Sequence, residues 1–361
     1  MKLFNKKVTA IRLLVTFSVG LLVSLALAFT GYIISSTQDE PHEIRFLAFG
    51  DWGSGNDKQK AVAAAMIKKC KAENCEFVVT VGDNFYPKGV RSLADKQWKT
   101  KFIDLYSDLG VPFYAALGTH DHAGSVIAQV KYSKRNPQWI MPAKFYNFKK
   151  GPADFIITDS HKLFRFEKYR AQQTKHYKKL MRRLTSTWTI LISKHTYISD
   201  GRHGNMGIYK GIIGHGAEMK SFFDSQFCGN VDLYLHGHDH NLQILEGPSE
   251  CPGVFVVTGG GGAGAQPQAA RDGNKIDFFA ESFGFTYIKI IDNCITIEML
   301  DEEGTSLFTK NYCKPQNFRI WARKLSGYLY KFPFDIQKSL SESRAQVHSY
   351  HIKAYLRGLF K

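Results

Sequence analysis

Short apolar runs of strand length recur along this chain, each rich in β-branched or aromatic residues. They are Ile44–Phe49, Phe77–Val81, Val111–Leu117, Phe155–Thr158, Trp188–Ile192, Val231–Leu235, Val254–Thr258 and Phe285–Ile291. Between several of them the apolar positions take helical spacing, over Asp57–Lys71, Asp95–Asp108, Tyr169–Leu184 and Gly216–Phe227. Strand alternating with helix predicts a layered α/β fold. The last strands follow one another with no helix between them, so part of the sheet is expected to be antiparallel. No linker interrupts Glu43 to Lys314, which reads as one domain, and no internal repeat is evident.

The two ends of the chain break this pattern. Leu13 to Gln38 carries no charged residue, and Lys2, Lys6, Lys7 and Arg12 precede it. Its apolar part, Leu13 to Ile34, meets the roughly 20 residues that a bilayer span needs. Positive charge ahead of it puts the N-terminus on the cytoplasmic side and the rest outside. Ala26-Leu27-Ala28 is a small-x-small cleavage site, so residues 1–43 read as a signal peptide or a membrane anchor. Either way the domain over 44–314 is exported, to a periplasmic, secreted or lumenal location. The six cysteines suit an oxidising compartment. Cys294 and Cys313 flank a predicted hairpin, Ile295–Leu300 and Ser306–Lys310, that sets them opposite each other at disulfide distance. Cys70 with Cys75 and Cys228 with Cys251 complete three local bridges.

The hydrophobic fraction of 44% allows a sizeable core and excludes a wholly disordered chain. The net charge of +16 points to anionic partners. Two stretches concentrate it. Residues 131–183 hold 15 Lys and Arg against 3 acids, and residues 315–361 hold 9 against 2. In the second stretch aromatics interleave with the charges, and Arg319–Tyr330 and Ser349–Leu359 have the pattern of amphipathic helices on an anionic membrane. A docked C-terminal helix or a solvated basic face fits the same pattern. No nucleic-acid module is present.

The chemistry lies where the strands end. Ile44–Phe49 leads into Gly50-Asp51-Trp52-Gly53, and Phe77–Val81 into Gly82-Asp83-Asn84-Phe85-Tyr86. Val111–Leu117 leads into Gly118-Thr119-His120-Asp121-His122. Trp188–Ile192 leads into Ser193-Lys194-His195, and Val231–Leu235 into His236-Gly237-His238-Asp239-His240. Ligands of α/β sheets bind beyond the carboxyl ends of the strands. Taken singly, Asp51 or Asp83 is an ordinary turn residue. Five strands that deliver carboxylates, a phenol and imidazoles to one rim make a metal constellation.

These five blocks, in this order and on these strand ends, resemble those of the metallophosphoesterases. Tyr86, three residues after Asp83, and the run His238-Asp239-His240-Asn241-Leu242-Gln243 are similar to the purple acid phosphatases of the tartrate-resistant type. The resemblance spans about Arg45 to Lys310. It implies a β-sandwich of mixed sheets with helices on both outer faces, and an acid phosphatase that hydrolyses phosphate monoesters of small molecules or phosphoproteins. It also implies two metals about 3.5–4 Å apart, bridged by Asp83. Fe3+ would be held by Asp51, Asp83, Tyr86 and His240. Fe2+, Zn2+ or Mn2+ would be held by Asp83, Thr119, His195 and His238, and a metal-bound hydroxide would attack phosphorus. His120 and His203 would bind phosphate and protonate the leaving group, Asp121 would orient His120, and Asn84 would hydrogen-bond the bridging region.

This chain departs from the family at four places. Thr119 replaces an Asn, Lys194 a Gly, Thr196-Tyr197 a Tyr-Pro pair, and His236 a small residue. A Thr hydroxyl is a poorer metal donor than an amide oxygen, which weakens the second site. The alternative reading is a membrane-tethered, catalytically degenerate relative that binds anionic partners.

Overall fold

A computed structural model describes residues 43–163, 166–208, 215–269 and 273–314. The expected leader or anchor and the extension over 315–361 lie outside the described residues. No described helix is long and apolar enough to cross a membrane.

Among the described residues, fourteen strands form two sheets. They are β1 (Glu43–Phe49), β2 (Phe77–Thr80), β3 (Phe113–Ala115), β4 (Trp139–Ile140), β5 (Tyr146–Lys150), β6 (Ala153–Ile157) and β7 (Trp188–Ser193). Then follow β8 (Leu233–His236), β9 (Leu242–Glu246), β10 (Val254–Thr258), β11 (Lys275–Ala280), β12 (Gly284–Ile291), β13 (Cys294–Asp301) and β14 (Ser306–Cys313). One sheet has the order β14-β13-β12-β1-β2-β3-β4, and the other β11-β9-β10-β8-β7-β6-β5. Both are mixed. In the first, β1, β2, β3 and β4 run parallel while β12, β13 and β14 return antiparallel. In the second, β6, β7, β8 and β10 are parallel.

Alternation along β7 shows how the layers close. Ile190 and Ile192 enter the core between the sheets with Phe46, Phe77 and Ile288. Leu191 faces the other way, into a second core. That outer core is covered by helices α2 (Glu167–Met181) and α3 (His215–Gln226), through Tyr177, Leu180, Met219 and Phe223. Helix α1 (Asp57–Glu73) packs Val62 and Met66 against the first sheet. The expected sandwich with helices on both faces is therefore what forms.

The expected segment Asp95–Asp108 is not one α-helix. It is a π-turn at Trp98–Ile103, a short α-turn at Asp104–Tyr106 and a 3-10 turn at Ser107–Leu109. Trp98, Phe102 and Tyr106 are all buried at a spacing of four. That spacing overshoots a 3.6-residue turn, and local widening keeps the three rings on one face. Strands β4, β5, β9 and β11 lie outside the expected runs; β5 and β11 are half-exposed sheet edges whose burial alternates. The three expected disulfides form, at Cys70–Cys75, Cys228–Cys251 and Cys294–Cys313. The last closes the β13–β14 hairpin, where Cys294 pairs with Cys313 in register.

Candidate metal centre

The carboxyl ends of β1, β2, β7 and β8 bring Asp51, Asp83, Lys194, His195, His238 and His240 to one rim, with Tyr86 on the loop after β2. Three of these sit in the left-handed backbone region that non-glycine residues rarely occupy: Asp51 at φ 55°, Asp83 at φ 52° and His238 at φ 74°. Such backbone is costly and clusters at functional sites. Neighbouring glycines make room for the side chains. A Cβ on Gly118 would stand 2.2 Å from Asp83 Oδ1, and one on Gly237 would stand 2.4 Å from Asp51 Oδ2.

Asp51 is fully buried and every oxygen is engaged. Its Oδ1 accepts from the Lys194 ammonium and from the Tyr86 hydroxyl at 2.9 Å, and lies 3.1 Å from His240 Nε2. Its Oδ2 accepts the His238 N–H at 2.9 Å. Asp83 Oδ2 lies 2.9 Å from Lys194 Nζ and accepts from Tyr86 at 3.1 Å, while Oδ1 accepts the His120 N–H at 2.7 Å. Burial would raise the Asp51 carboxyl, but Lys194 and His240 beside it outweigh that and hold it well below the usual carboxylate range. Burial would likewise discharge Lys194, but the two carboxylates raise it above its ordinary value. Burial, with the carboxylates behind it, pushes the Tyr86 phenol far upward, so it stays protonated and donates.

The other half of the rim is neutral. Burial drives His195 and His238 well below the usual histidine range. Their rings lie 4.8 Å apart, and His203 stacks on His238 at 3.8 Å. Ser160 Oγ lies 2.8 Å from His195 Nδ1 and fixes that ring. The Thr119 hydroxyl oxygen is buried and has no hydrogen-bond partner.

Two expected roles are corrected. Asp121 does not orient His120. Its buried carboxylate accepts from the backbone of Gly118 and Asn84 and from Gln129 Nε2 at 2.8 Å, beneath the rim. His120 is fixed instead by its Nδ1 at 2.6 Å from the Pro87 carbonyl, with its ring over Tyr86. Nor does Asn84 reach the region between Asp51 and Asp83. Its amide turns inward, accepting from Thr80 Oγ1 at 2.7 Å and donating to the Ala116 carbonyl at 2.7 Å, which ties the ends of β2 and β3.

Sequence reasoning noted Lys194 but missed where its ammonium goes. The signal was available: β7 is buried along its whole length, and a lysine that continues such a strand must find a counter-charge inside. The metal-ligand set therefore divides. Asp51, Tyr86 and His240 do not fit a metal ion, because Lys194 Nζ already stands on the carboxylate oxygens that would hold it. The residues of the other half fit a weak divalent site at most, with two imidazoles and an unsatisfied hydroxyl.

Known proteins agree on the fold. The tartrate-resistant acid phosphatase type 5 of Sus scrofa is 28% identical, over 81% of this chain and 94% of that protein. Purple acid phosphatase 3 of Arabidopsis thaliana is 30% identical over 72% of this chain and 75% of its own length. Among solved structures, the one titled "GAP50 the anchor in the inner membrane complex of Plasmodium" superimposes with a TM-score of 0.65 at 23% identity, covering 78% of this chain and 93% of that one. The family model for calcineurin-like phosphoesterases matches residues 44–242, the stretch that carries all five strand-end motifs. The chain belongs to the calcineurin-like phosphoesterase family and has purple acid phosphatases among its relatives.

Proposed function

We propose that this protein is an exported, catalytically degenerate purple acid phosphatase-like protein that binds anionic partners at a membrane. The observation that carries this reading is the Lys194 ammonium on Asp51 and Asp83. Two carboxylates neutralised from within do not hold the Fe3+ of a ferric–divalent pair, and phosphate-ester hydrolysis by this fold draws its electrostatic stabilisation from such a pair. What remains at the rim holds protons in fixed places. Tyr86 shares its one hydroxyl proton between the two carboxylates, and His195 and His238 stay neutral. None of this supplies a nucleophile.

A basic surface supports the binding half of the proposal. Lys168, Lys175, Lys178 and Lys179 of α2, with Arg182 and Arg183 just beyond it, are all exposed. Arg170, also on α2, is paired with Glu218 at 2.6 Å. Export is supported by the three disulfides and by the uncharged run ahead of the domain. The similar structure titled an anchor in an inner membrane complex supports the attachment reading.

The hydrolase reading, with Fe3+ beside Fe2+, Zn2+ or Mn2+, is favoured by one observation: His120, His195, His203 and His238 all reach the rim. One experiment separates the two. Purified protein supplied with Fe3+, Zn2+ or Mn2+ is assayed with p-nitrophenyl phosphate from pH 4 to 8. Turnover no greater than that of Asp83→Ala is expected. Turnover that Asp83→Ala abolishes would make the protein an acid phosphatase.

A further inference from the structure

We propose that Lys194 is a built-in cation that takes the place of a metal ion, so that the centre is complete and stable without one. The inference concerns the same site as the function proposed above and rests on that reading only for the absence of turnover.

Three features of the geometry point to it. First, the ammonium is held, not merely nearby. Lys194 is wholly buried, and Nζ contacts Asp51 Oδ1 and, at 2.9 Å, Asp83 Oδ2. A buried charge is tolerated only when paired and hydrogen-bonded. Here a pair of carboxylates from two different strands grips one ammonium, much as both would grip one metal. Second, glycine at 237 keeps room for the carboxylate that grips the ammonium, since a Cβ there would stand 2.4 Å from Asp51 Oδ2. Third, the rest of the shell is satisfied around the ammonium. Tyr86 and the backbone N–H groups of His120 and His238 fill the remaining oxygen positions of the two carboxylates. The costly backbone at Asp51, Asp83 and His238 thus persists and still aims its side chains at a cation.

Competition follows from the charges. A divalent or trivalent ion at Asp51 would meet the fixed positive charge of Lys194 at contact range, and the ammonium has no exit because its side chain is enclosed. The protein is therefore expected to exclude metal from this half, and to lose that property through one side chain.

The test compares wild-type protein with Lys194→Met, which keeps the unbranched stem and removes the charge, and with Lys194→Ala, which also opens space. Metal content after incubation with Zn2+ or Fe3+ and gel filtration is measured by mass spectrometry, and affinity by calorimetry. We expect less than one ion per wild-type chain, with melting unchanged by EDTA or Zn2+. At least tenfold tighter binding is expected in one of the two variants, with melting raised by metal. A ferric-loaded variant should also show a visible Tyr86 charge-transfer band that the wild type lacks. If either variant folds only when metal is supplied, that supports the proposal. Wild-type protein that binds two ions as tightly as the variants, or variants that gain neither metal nor stability from it, would overturn it. The outcome is separable from the functional reading. Turnover by metal-free wild type defeats the function and leaves the built-in cation standing, while tight metal binding with Lys194 in place defeats the built-in cation whatever the turnover.

Discussion

The two halves of the rim share a backbone and differ in how their polar groups are satisfied. Around Asp51 the half is ionic. It holds two carboxylates, one lysine, a protonated phenol and no unmet oxygen. Around His195 and His238 it is neutral, with rings stacked on one another and the Thr119 hydroxyl left unsatisfied. The difference teaches that a metal-binding frame and a metal-binding site are separable. Strand ends, tight glycines and left-handed backbone make the frame. Which charge stands inside it is set by a single position, 194.

The largest expected effect breaks the ionic half. Removing one partner of a buried pair costs about 3–5 kcal/mol, because the other charge is left uncompensated. Lys194→Met without metal should lose stability on that scale in urea denaturation. Lys220→Met is the control. It removes an exposed ion pair with Asp224, with side chains 34% and 41% accessible, and exposed pairs contribute about 0–1 kcal/mol. Equal losses in the two variants would mean that Lys194 does not neutralise the centre.

Acid sharpens the contrast from the other side. In the ionic half, Asp51 and Lys194 are both shifted away from neutrality. Asp51 is depressed from 3.8, so its contribution is present above that value and lost as pH falls through its lower folded value. Lys194 is raised from 10.5, so its contribution is present below that value and lost only as pH rises through its raised one. In the histidine half the loss on acidification begins near neutrality. Burial pushes His236, just behind His238 on β8, down to about 3. The unfolded chain takes up that proton below 6.5 while the fold does not, so stability is lost as pH falls from 6.5 toward about 3. At pH 5 the loss from His236 is on the order of 2 kcal/mol. His236→Phe, which places an apolar ring beside Tyr234 and Phe255, should reduce the stability difference between pH 7 and pH 5 by roughly that amount. An unchanged difference in chemical denaturation at the two pH values would remove His236 as its source.

Much of this was legible in the sequence, and what was not has a physical reason. Alternation located a layered α/β fold and the strand-end motifs located the rim, because periodicity and backbone turns are local properties, while the sandwich was implied by the resemblance to the metallophosphoesterases. The disulfides were legible for the same reason, since Cys294 and Cys313 flank their own hairpin. Strands β5 and β11 were missed as half-exposed edges, and β4 and β9 were missed as well, β4 because it is two residues long and β9 because it follows the His238–His240 motif directly. The roles of Asp121 and Asn84 were misread because a motif gives spacing but not side-chain direction: both turn under the rim and bind the backbone of neighbouring strand ends. Lys194 was visible as a departure, yet its consequence depends on Asp51 and Asp83, which lie more than one hundred positions away.

The smallest expected effect asks whether the two halves are independent. Thr119→Asn supplies an amide oxygen where a buried hydroxyl now has no partner. The two side chains are similar in size, so the fold should tolerate the change. If the histidine half were a site of its own, the substitution would tighten Zn2+ about tenfold in any background, which is about 1.4 kcal/mol. Asp83 argues otherwise, because it faces both halves. Its Oδ2 is held by Lys194 and Tyr86, and its Oδ1 by the His120 N–H. With Lys194 in place the Asp83 charge is already compensated and its Oδ2 engaged, which leaves Asp83 a poor donor for an ion beside His195 and His238. Thr119→Asn alone should therefore change Zn2+ affinity by less than about threefold, a small step on the tenfold-per-1.4 kcal/mol scale. The same change in Lys194→Met should tighten it about tenfold, a coupling that a double-mutant cycle by calorimetry measures directly. A full tenfold gain in the wild-type background would show that the histidine half binds metal without Asp83, and that Lys194 closes only the half it touches.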